Sequence, residues 1–176
     1  MASYKEIVTK AVIGKAKKSS NSKFSLTPEE KPDTVLGCWV INHNFEGHNV
    51  NGIVNINGSF DVNVWYSYNN DTKTAVTTKR FTYNDKMNVR LKDNAKLTDA
   101  SEIIVRSLNQ PTVTDVAIDN ANVNLTIEKE LGVEVVGNTM IKVSVEEDPD
   151  DYELIEDIDD TEVDEKIESI DENYLN

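Results

Sequence analysis

The sequence lacks several features that mark common functional classes. It has a single cysteine, Cys38, which excludes an internal disulfide and a cysteine-based zinc site and fits synthesis in a reducing compartment. No apolar run is long enough to cross a bilayer, so we expect no membrane insertion. The first residues also lack the pattern of a secretory signal, because Lys5, Glu6 and Lys10 interrupt a short apolar stretch.

Basic residues are scarce, and the acidic excess is concentrated at one end. The chain has 18 Lys and Arg against 32 Asp and Glu, for a net charge of −14. Residues 146–176 contain 16 of these acids and one Lys, so residues 1–145 retain 17 basic and 16 acidic groups. We therefore predict a near-neutral body, residues 1–145, and an acidic tail, residues 146–176. This charge repels phosphates, so we expect neither nucleic acid nor an anionic membrane as a partner.

The clearest periodic signal lies in residues 54–68, VNINGSFDVNVWYSY. Apolar residues at the even positions alternate with polar residues at most odd positions, which is the period of a strand with one buried face. Gly58 predicts a bulge or bend in this strand. The turn residues 69–71 predict a hairpin that returns through the Thr-rich residues 72–83.

Similar alternation recurs along the body. Residues 35–41 are apolar on both faces and predict a buried central strand. Asn120 and Asn122 predict one turn and the Gly137-Asn138 pair another, whereas the polar residues 93–101 predict a loop. About eight to ten short strands follow from this reading. The predicted fold is all-β, a single antiparallel β-sandwich or barrel-like domain.

The N-terminal segment, residues 4–18, is open to two interpretations. Its Val and Ile residues favour a strand, but Ile7, Val8 and Val12 also fit one helical stripe. We favour the strand, and we predict that residues 17–23 form a mobile connector. An apolar strand at this position could pair within its own fold or add to the open sheet edge of a second copy. We therefore predict that Ile7, Val8, Val12 and Ile13 contribute to self-assembly.

The acidic tail is predicted to be disordered or partly helical. Its like charges favour an expanded chain, yet four apolar residues fall at helical spacing: Val163, Ile167, Ile170 and Tyr174. Such a stripe would fold against an apolar groove of a partner, so we predict that these four residues dock a partner protein. The spacing of acids from residue 157 to 168 resembles a calcium loop, but Glu162 replaces the required Gly.

The sequence offers little catalytic equipment, and we predict no enzyme activity, no metal and no cofactor. His43, Glu46 and His48 could bring three ligands together, but they lack the helical spacing of known catalytic sets. Cys38 lies in an apolar strand, where a thiol is usually a small buried hydrophobe. No phosphate-binding loop, dinucleotide motif or serine nucleophile motif is present.

Trp65 is the most informative single residue, because the alternation places it on the polar face of its strand. It is either covered by a second layer or an aromatic anchor for another subunit. We include it among the predicted self-assembly residues. The alternative function is a β-sandwich that binds cell-wall glycans through Trp65, Tyr66 and Tyr68, although the alternation turns both tyrosines away from Trp65.

Several segments together resemble the outer spore-coat morphogenetic protein family, the CotE proteins of endospore-forming bacteria. The resemblance is carried by YKEIVTKAVIGKAKK (4–18), KPDTVLGCWVINHNF (31–45), INGSFDVNVWYSYNNDTKTAV (56–76), GVEVVGNTMIKVSV (132–145) and the acidic tail. Residues 84–130 match by pattern only.

The resemblance implies a non-enzymatic scaffold, made in the mother-cell cytoplasm and located in the outer spore coat. It implies self-association, placement through the basement-layer coat morphogenetic ATPase, and recruitment of other spore coat proteins. Within the family the N-terminal segment is linked to self-assembly and the acidic C-terminal region to coat components. The tail has the charge typical of the family but its own sequence.

Overall fold

The computed structural model describes residues 3–92 and 95–145, and these residues form an all-β structure. There are seven strands: β1 (Ser3–Leu26), β2 (Thr34–Val50), β3 (Ile53–Tyr68), β4 (Lys73–Met87), β5 (Arg90–Leu91), β6 (Glu102–Asp119) and β7 (Asn122–Val145). The described part of the chain contains no helix, and so none that is long and apolar enough to cross a membrane. The predicted all-β, antiparallel fold class is confirmed.

The strands form two antiparallel sheets. One has the order β2-β3-β4, and the other has the order β5-β1-β7-β6. The predicted hairpin from β3 to β4 is confirmed, since the pairing runs without a break from Tyr68↔Lys73 to Val54↔Met87. Asn69, Asn70 and Asp71 have positive φ values in its turn, a conformation that Asn and Asp tolerate best among residues other than Gly.

The central strands of the two sheets supply most of the core. In β3 the even positions are buried, and in β7 the odd positions are buried. Alternate side chains of a strand point to opposite faces, so each strand turns one continuous apolar row toward the other sheet. The buried residues of these rows are Val54, Ile56, Phe60, Val62, Val64 and Tyr66 in β3 and Val123, Leu125, Ile127, Leu131, Val133 and Val135 in β7.

Residues 7–141 form one compact unit, and the described residues 3–6 and 142–145 belong to a second unit. Residues 7–141 contain the whole core. In the second unit, Lys142 Nζ lies 3.4 Å from Glu6 Oε1. The predicted boundary at residue 145 remains a prediction, and residues 146–176 lie outside the described chain.

The N-terminal segment is a strand, as favoured, but residues 17–23 are not the predicted connector. They continue β1 beside β7, where Ser19 Oγ donates to Glu130 Oε1 at 3.2 Å. Lys17 and Lys18 also meet acidic partners on neighbouring strands, Glu130 and Asp85. The polar composition of this stretch reflects inter-strand pairing of side chains and not a loop.

The predicted turn at Gly137-Asn138 is wrong, because β7 continues through both residues to Val145. Gly137 has a packing role instead. A Cβ at this position would lie 2.7 Å from Ile13 Cδ1, so only Gly leaves room for the buried Ile13 side chain. Strands therefore continue where glycines predicted breaks, and the described chain has seven strands, fewer than expected.

Gly58 also leaves room for a side chain of a neighbouring strand and does not break its own strand. β3 pairs with β4 in continuous register through this residue, and the ring of Tyr83 occupies the place of a Cβ at Gly58. The irregularities of this sheet lie instead in β2, where the register shifts between Val35 and Gly37 and again between Ile41 and Asn44. Asn42, within the second shift, has a φ of 54°.

Residues 35–41 do not form the predicted buried central strand. They belong to β2, which lies at the edge of the three-stranded sheet. Leu36, Trp39 and Ile41 are each more than 40 % exposed, whereas Val35, Cys38 and Val40 pack on the core. The apolar side chains on the second face therefore lie on the surface of the protein.

Candidate interaction surfaces

The first candidate surface is the far end of the β1–β7 ribbon, which we define as residues 7–12 and 138–141. Its apolar side chains are exposed to unusual degrees for aliphatic residues: Ile7 44 %, Val8 71 %, Val12 36 %, Met140 66 % and Ile141 43 %. Strands that pack on a second sheet keep such residues on the covered face. A cluster of exposed apolar residues on a protein surface typically marks a contact site.

The main chain of β1 is also open at this end. On the side away from β7, β1 pairs with β5 only through Gly14 and Lys15, within the described residues. Further along, side chains bridge β1 to β4: Lys18 Nζ lies 3.5 Å from Asp85 Oδ1, and Lys79 donates to the carbonyl of Ser25. Among residues 3–92 and 95–145, no strand pairs with residues 7–12 on this side, so their outward amide and carbonyl groups can bind another chain.

The structure separates the predicted self-assembly residues into three places. Ile7, Val8 and Val12 lie on the ribbon end, and Ile13 is buried in the core beside Gly137. Trp65 lies on the opposite sheet, on the side turned away from the core. The five residues therefore do not form one continuous surface.

The second candidate surface is the outer face of the β2–β3–β4 sheet, which we define as the side turned away from the four-stranded sheet. Trp39 and Trp65 are both 43 % exposed there. Both rings flank Gly37, since a Cβ at that position would lie 3.5 Å from Trp39 and 3.7 Å from Trp65. No described residue covers Trp65 as a second layer would. The interpretation of Trp65 as an anchor for another subunit therefore stays a prediction.

The tyrosines of the proposed glycan platform are placed as the alternation predicts. Tyr66 is buried with 2 % exposure, and Tyr68 packs on the same core cluster. Their ring centroids are 6.1 Å apart on the inner side of β3. The platform of Trp65, Tyr66 and Tyr68 is therefore not formed, and Trp39 is the aromatic neighbour of Trp65.

His43, Glu46 and His48 do not converge on one point. His48 Nε2 lies 3.5 Å from Glu46 Oε2, whereas His43 contacts Tyr83 and Gln110. Within the described chain, no three His, Cys, Asp or Glu side chains are close enough to hold a metal ion.

His43 belongs to a hydrogen-bonded seam between the sheets. Its Nδ1 donates to Gln110 Oε1 at 3.1 Å, because a carbonyl oxygen only accepts, and the Tyr83 hydroxyl donates to Nε2 at 2.6 Å. Burial lowers the pKa of His43, and the charge of Lys129 lowers it further, while the bond to Gln110 opposes this shift. His43 is therefore neutral at pH 7, and its neutral ring supplies the one donor and one acceptor that these two hydrogen bonds need.

Lys129 is the one charged side chain in the buried row of β7, and its partners explain its burial. Its Nζ lies 2.7 Å from Asp85 Oδ2, 2.6 Å from Ser20 Oγ and 4.0 Å from the centroid of the Tyr83 ring. Burial raises the pKa of Tyr83, with Asp85 adding to the shift. This polar cluster separates the two apolar clusters of the core. Every strong contact is internal, so the arrangement is structural.

Cys38 is packed against the core on the inner side of β2. Burial raises its pKa to about 11, so the reactive thiolate is scarce at neutral pH. This placement matches the interpretation of Cys38 as a small buried hydrophobe.

The predicted docking residues Val163, Ile167, Ile170 and Tyr174 lie outside the described residues. Three other residues were missed by the sequence analysis. Trp39 was assigned to a strand buried on both faces, and Met140 and Ile141 follow the predicted Gly137-Asn138 turn, which the structure does not contain. The exposure of Trp39 could have been predicted from its spacing. It lies two residues after Gly37, so both residues face the outer side of β2.

A comparison with protein families identifies the chain. The family model of outer spore coat protein E (CotE) matches residues 3–176, and searches among curated proteins and solved structures find no match. The match covers both β-sheets and the acidic tail, in agreement with the segments that carry the resemblance. The chain therefore belongs to the outer spore coat protein E family and is located in the spore coat.

Proposed function

We propose that this protein is a structural scaffold of the spore coat, which self-associates through the ribbon end and recruits outer-coat proteins through its acidic tail. The observation that carries the first part is the coincidence, at residues 7–12, of an open strand edge with exposed apolar side chains. Family membership supports a structural coat role.

The free energy of self-association is expected to be the sum of many small contributions. Covering a half-exposed aliphatic side chain contributes roughly 1 kcal/mol. The edge adds main-chain hydrogen bonds of about 1 kcal/mol each. A single contact of this size is weak, but repeated contacts within a layer act together through effective concentration.

A comparison with another edge strand, β4, supports the choice of β1. β4 carries Lys73, Lys79 and Lys86 along its length, and lysines on an edge strand discourage pairing with a second chain. In contrast, residues 7–12 contain only one charge, Lys10. The composition of the two edges thus favours β1 as the assembly edge.

Recruitment is proposed for residues 146–176. Their net charge of −15 attracts basic segments of coat proteins, and the stripe of Val163, Ile167, Ile170 and Tyr174 adds apolar contact if it folds on binding. As the family resemblance implies, the proposed partners include the basement-layer coat morphogenetic ATPase.

Light scattering on the full chain tests the assembly surface. We expect mass to increase with protein concentration, and the double substitution Ile7→Ser/Val8→Ser to reduce the increase at least tenfold. Val76→Ser, which changes an equally exposed residue on the outer face, is the matched control and should assemble normally. Equal assembly of all three proteins would reject the ribbon end.

A second experiment separates the two terms of tail binding. Replacing Val163, Ile167, Ile170 and Tyr174 by Ser leaves all 16 acids of the tail in place. We expect weaker capture of coat proteins at all salt concentrations. If capture is unchanged and only falls with salt, screened charge attraction accounts for it and the helical stripe has no role.

A further inference from the structure

The outer face of the three-stranded sheet has a composition unlike the rest of the protein. Its side chains form rows across β2, β3 and β4, and most of them carry hydroxyl or amide groups. Read in that strand order, the rows are Asn44–Ser59–Thr82, Ile41–Asp61–Arg80, Trp39–Asn63–Thr78, Gly37–Trp65–Val76 and Thr34–Ser67–Thr74. The only charges in these rows, Asp61 and Arg80, form an ion pair, so this part of the face is neutral in a chain of net charge −14.

The aromatic part of the face is a pair of indoles with a gap between them. Trp39 and Trp65 lie in adjacent rows on neighbouring strands, and Gly37 leaves the space between the two rings unfilled. Both rings are held by strands and not by loops, so their positions are defined before any ligand arrives. Flat aromatic surfaces of this kind bind flat apolar faces at low entropic cost.

The polar groups beside the indoles are also held in place. Thr78 Oγ1 donates to Asn63 Oδ1 at 2.6 Å, in the same row as Trp39. The carboxylate of Asp61 accepts from Arg80 Nε at 2.7 Å and from Asn42 Nδ2 at 2.9 Å. These bonds lower the pKa of Asp61 to about 2, so it remains an ionised acceptor over the physiological range.

The polar rows extend into an open depression of about 850 Å³. Most of its lining side chains carry amide or hydroxyl groups, among them Asn44, Asn57, Ser59, Thr82 and Asn84. Glu46 and His48, which lie 3.5 Å apart, also line it. The depression and the indoles belong to the same face, and they are separated by the Asp61–Arg80 row. A ligand that lies along the strands would meet aromatic rings first and hydrogen-bonding groups next.

We infer that this face binds an extended, neutral polysaccharide. A pyranose ring presents an apolar C–H face, which suits an indole, and a rim of hydroxyls, which suits Asn, Ser and Thr side chains. A chain of equatorial, β-1,4-linked sugars is straight, so it can follow the strand direction from the indoles to the polar rows. The five rows around the indoles carry no net charge, so they offer no electrostatic attraction to a charged polymer.

The size of the apolar part argues against a second copy of the protein as the occupant. Trp39, Trp65, Val76 and Ile41, each about half exposed, offer roughly 300 Å² of apolar surface. A standard protein interface buries about 800 Å² on each partner, with an apolar centre. The remaining rows of this face are polar and already hydrogen-bonded in part, which suits a small hydroxylated ligand better.

Intrinsic fluorescence gives a direct test, because Trp39 and Trp65 are the chain's only two tryptophans. The probes are hexamers of β-1,4-linked N-acetylglucosamine, β-1,4-linked glucose and α-1,4-linked glucose. We expect a saturable change in emission with at least one β-linked hexamer, at a Kd between about 10 μM and 1 mM, and at least tenfold weaker binding of the bent α-linked hexamer. Equal binding of the α-linked hexamer would overturn the claim of an extended ligand.

Variants locate the site by calorimetry. Trp39→Ala, Trp65→Ala and Gly37→Val, which fills the gap, should each weaken binding at least tenfold without changing the far-ultraviolet circular dichroism. Val8→Ser on the ribbon end is the control and should bind normally. The inference is overturned if no hexamer gives a saturable response. It is also overturned if emission changes only with protein concentration, which would assign the face to contact between copies.

Discussion

The two ends of the β1–β7 ribbon differ in how they treat apolar side chains. Where the three-stranded sheet lies over the ribbon, the apolar residues occupy a single face, and Leu131, Val133 and Val135 are almost fully buried. At the ribbon end, Ile7, Val8, Met140 and Ile141 are exposed on adjacent positions of both strands. One strand pair thus has a half-buried part and a part that is apolar on both faces.

This difference suggests separate roles for the covered part of the ribbon and for the ribbon end. A strand with one buried face needs only its own fold, whereas one that is apolar on both faces resembles the interior of a larger sheet. The ribbon end has the composition of a buried strand, but no layer of the described residues covers it. The stability of the domain and the assembly of the coat are therefore expected to depend on different residues of the same two strands.

The largest contrast is expected between Leu131→Ala and Ile141→Ala, both in β7. Leu131 is 1 % exposed and Ile141 is 43 % exposed. We expect Leu131→Ala to lower the free energy of unfolding by about 2–5 kcal/mol, and Ile141→Ala to change it by less than about 0.5 kcal/mol. Urea unfolding of dilute protein measures both. Equal effects would show that the two ends do not differ in packing.

A slightly smaller effect is expected for the buried charge in the covered part. Lys129→Ala removes the 2.7 Å partner of Asp85 and leaves it only the more exposed Lys18 at 3.5 Å, so we expect a loss of about 3 kcal/mol. Lys129→Met keeps the volume, and Lys129→Met/Asp85→Asn removes both charges. We expect the double variant to recover most of the stability. If it is as unstable as Lys129→Ala, the loss comes from packing and not from an unpaired charge.

Gly137 marks the position where the ribbon leaves the core, and we expect Gly137→Val to destabilise the protein by about 1–3 kcal/mol. The reason is the 2.7 Å distance between a Cβ at Gly137 and Ile13 Cδ1. Combining Gly137→Val with Ile13→Ala should cost less than the sum of the two single changes in a double-mutant cycle. Strictly additive costs would mean that the two side chains do not compete for space.

The smallest expected effect is the pH dependence from His43. Its pKa is lower in the folded protein, so below about pH 6.5 the unfolded chain binds more protons and stability decreases as pH falls. We expect the urea midpoint of the wild type to decrease between pH 7.5 and 5.5 more than that of His43→Gln. His48→Gln is the control and should behave as the wild type. A pH dependence shared by all three proteins would assign the effect to other groups.

The fold class could be predicted from sequence because β3 and β7 each repeat a two-residue period over a long stretch. The hairpin at residues 69–71 could be predicted too, since Asn and Asp tolerate its positive φ values. The lengths of the strands could not. Gly58 and Gly137 are turn formers by composition, and only the tertiary structure reveals that each accommodates a side chain of a neighbouring strand.

The candidate surfaces were predictable in part. The exposed residues Ile7, Val8 and Val12 follow from an apolar segment flanked by lysines, but the burial of Ile13 depends on β5 and on Gly137. Trp39 required knowledge of the register between β2 and β3, which places it diagonal to Trp65. Register between strands distant in sequence depends on packing, so single-strand patterns do not contain it.

The assembly edge can be tested most directly by hydrogen exchange on the full chain as a function of protein concentration. If copies pair through β1, the outward amides of residues 7–12 gain protection as the mass rises, while those of β4 are unchanged. The account is contradicted if the mass rises while residues 7–12 continue to exchange freely, or if the protein remains a monomer at millimolar concentration.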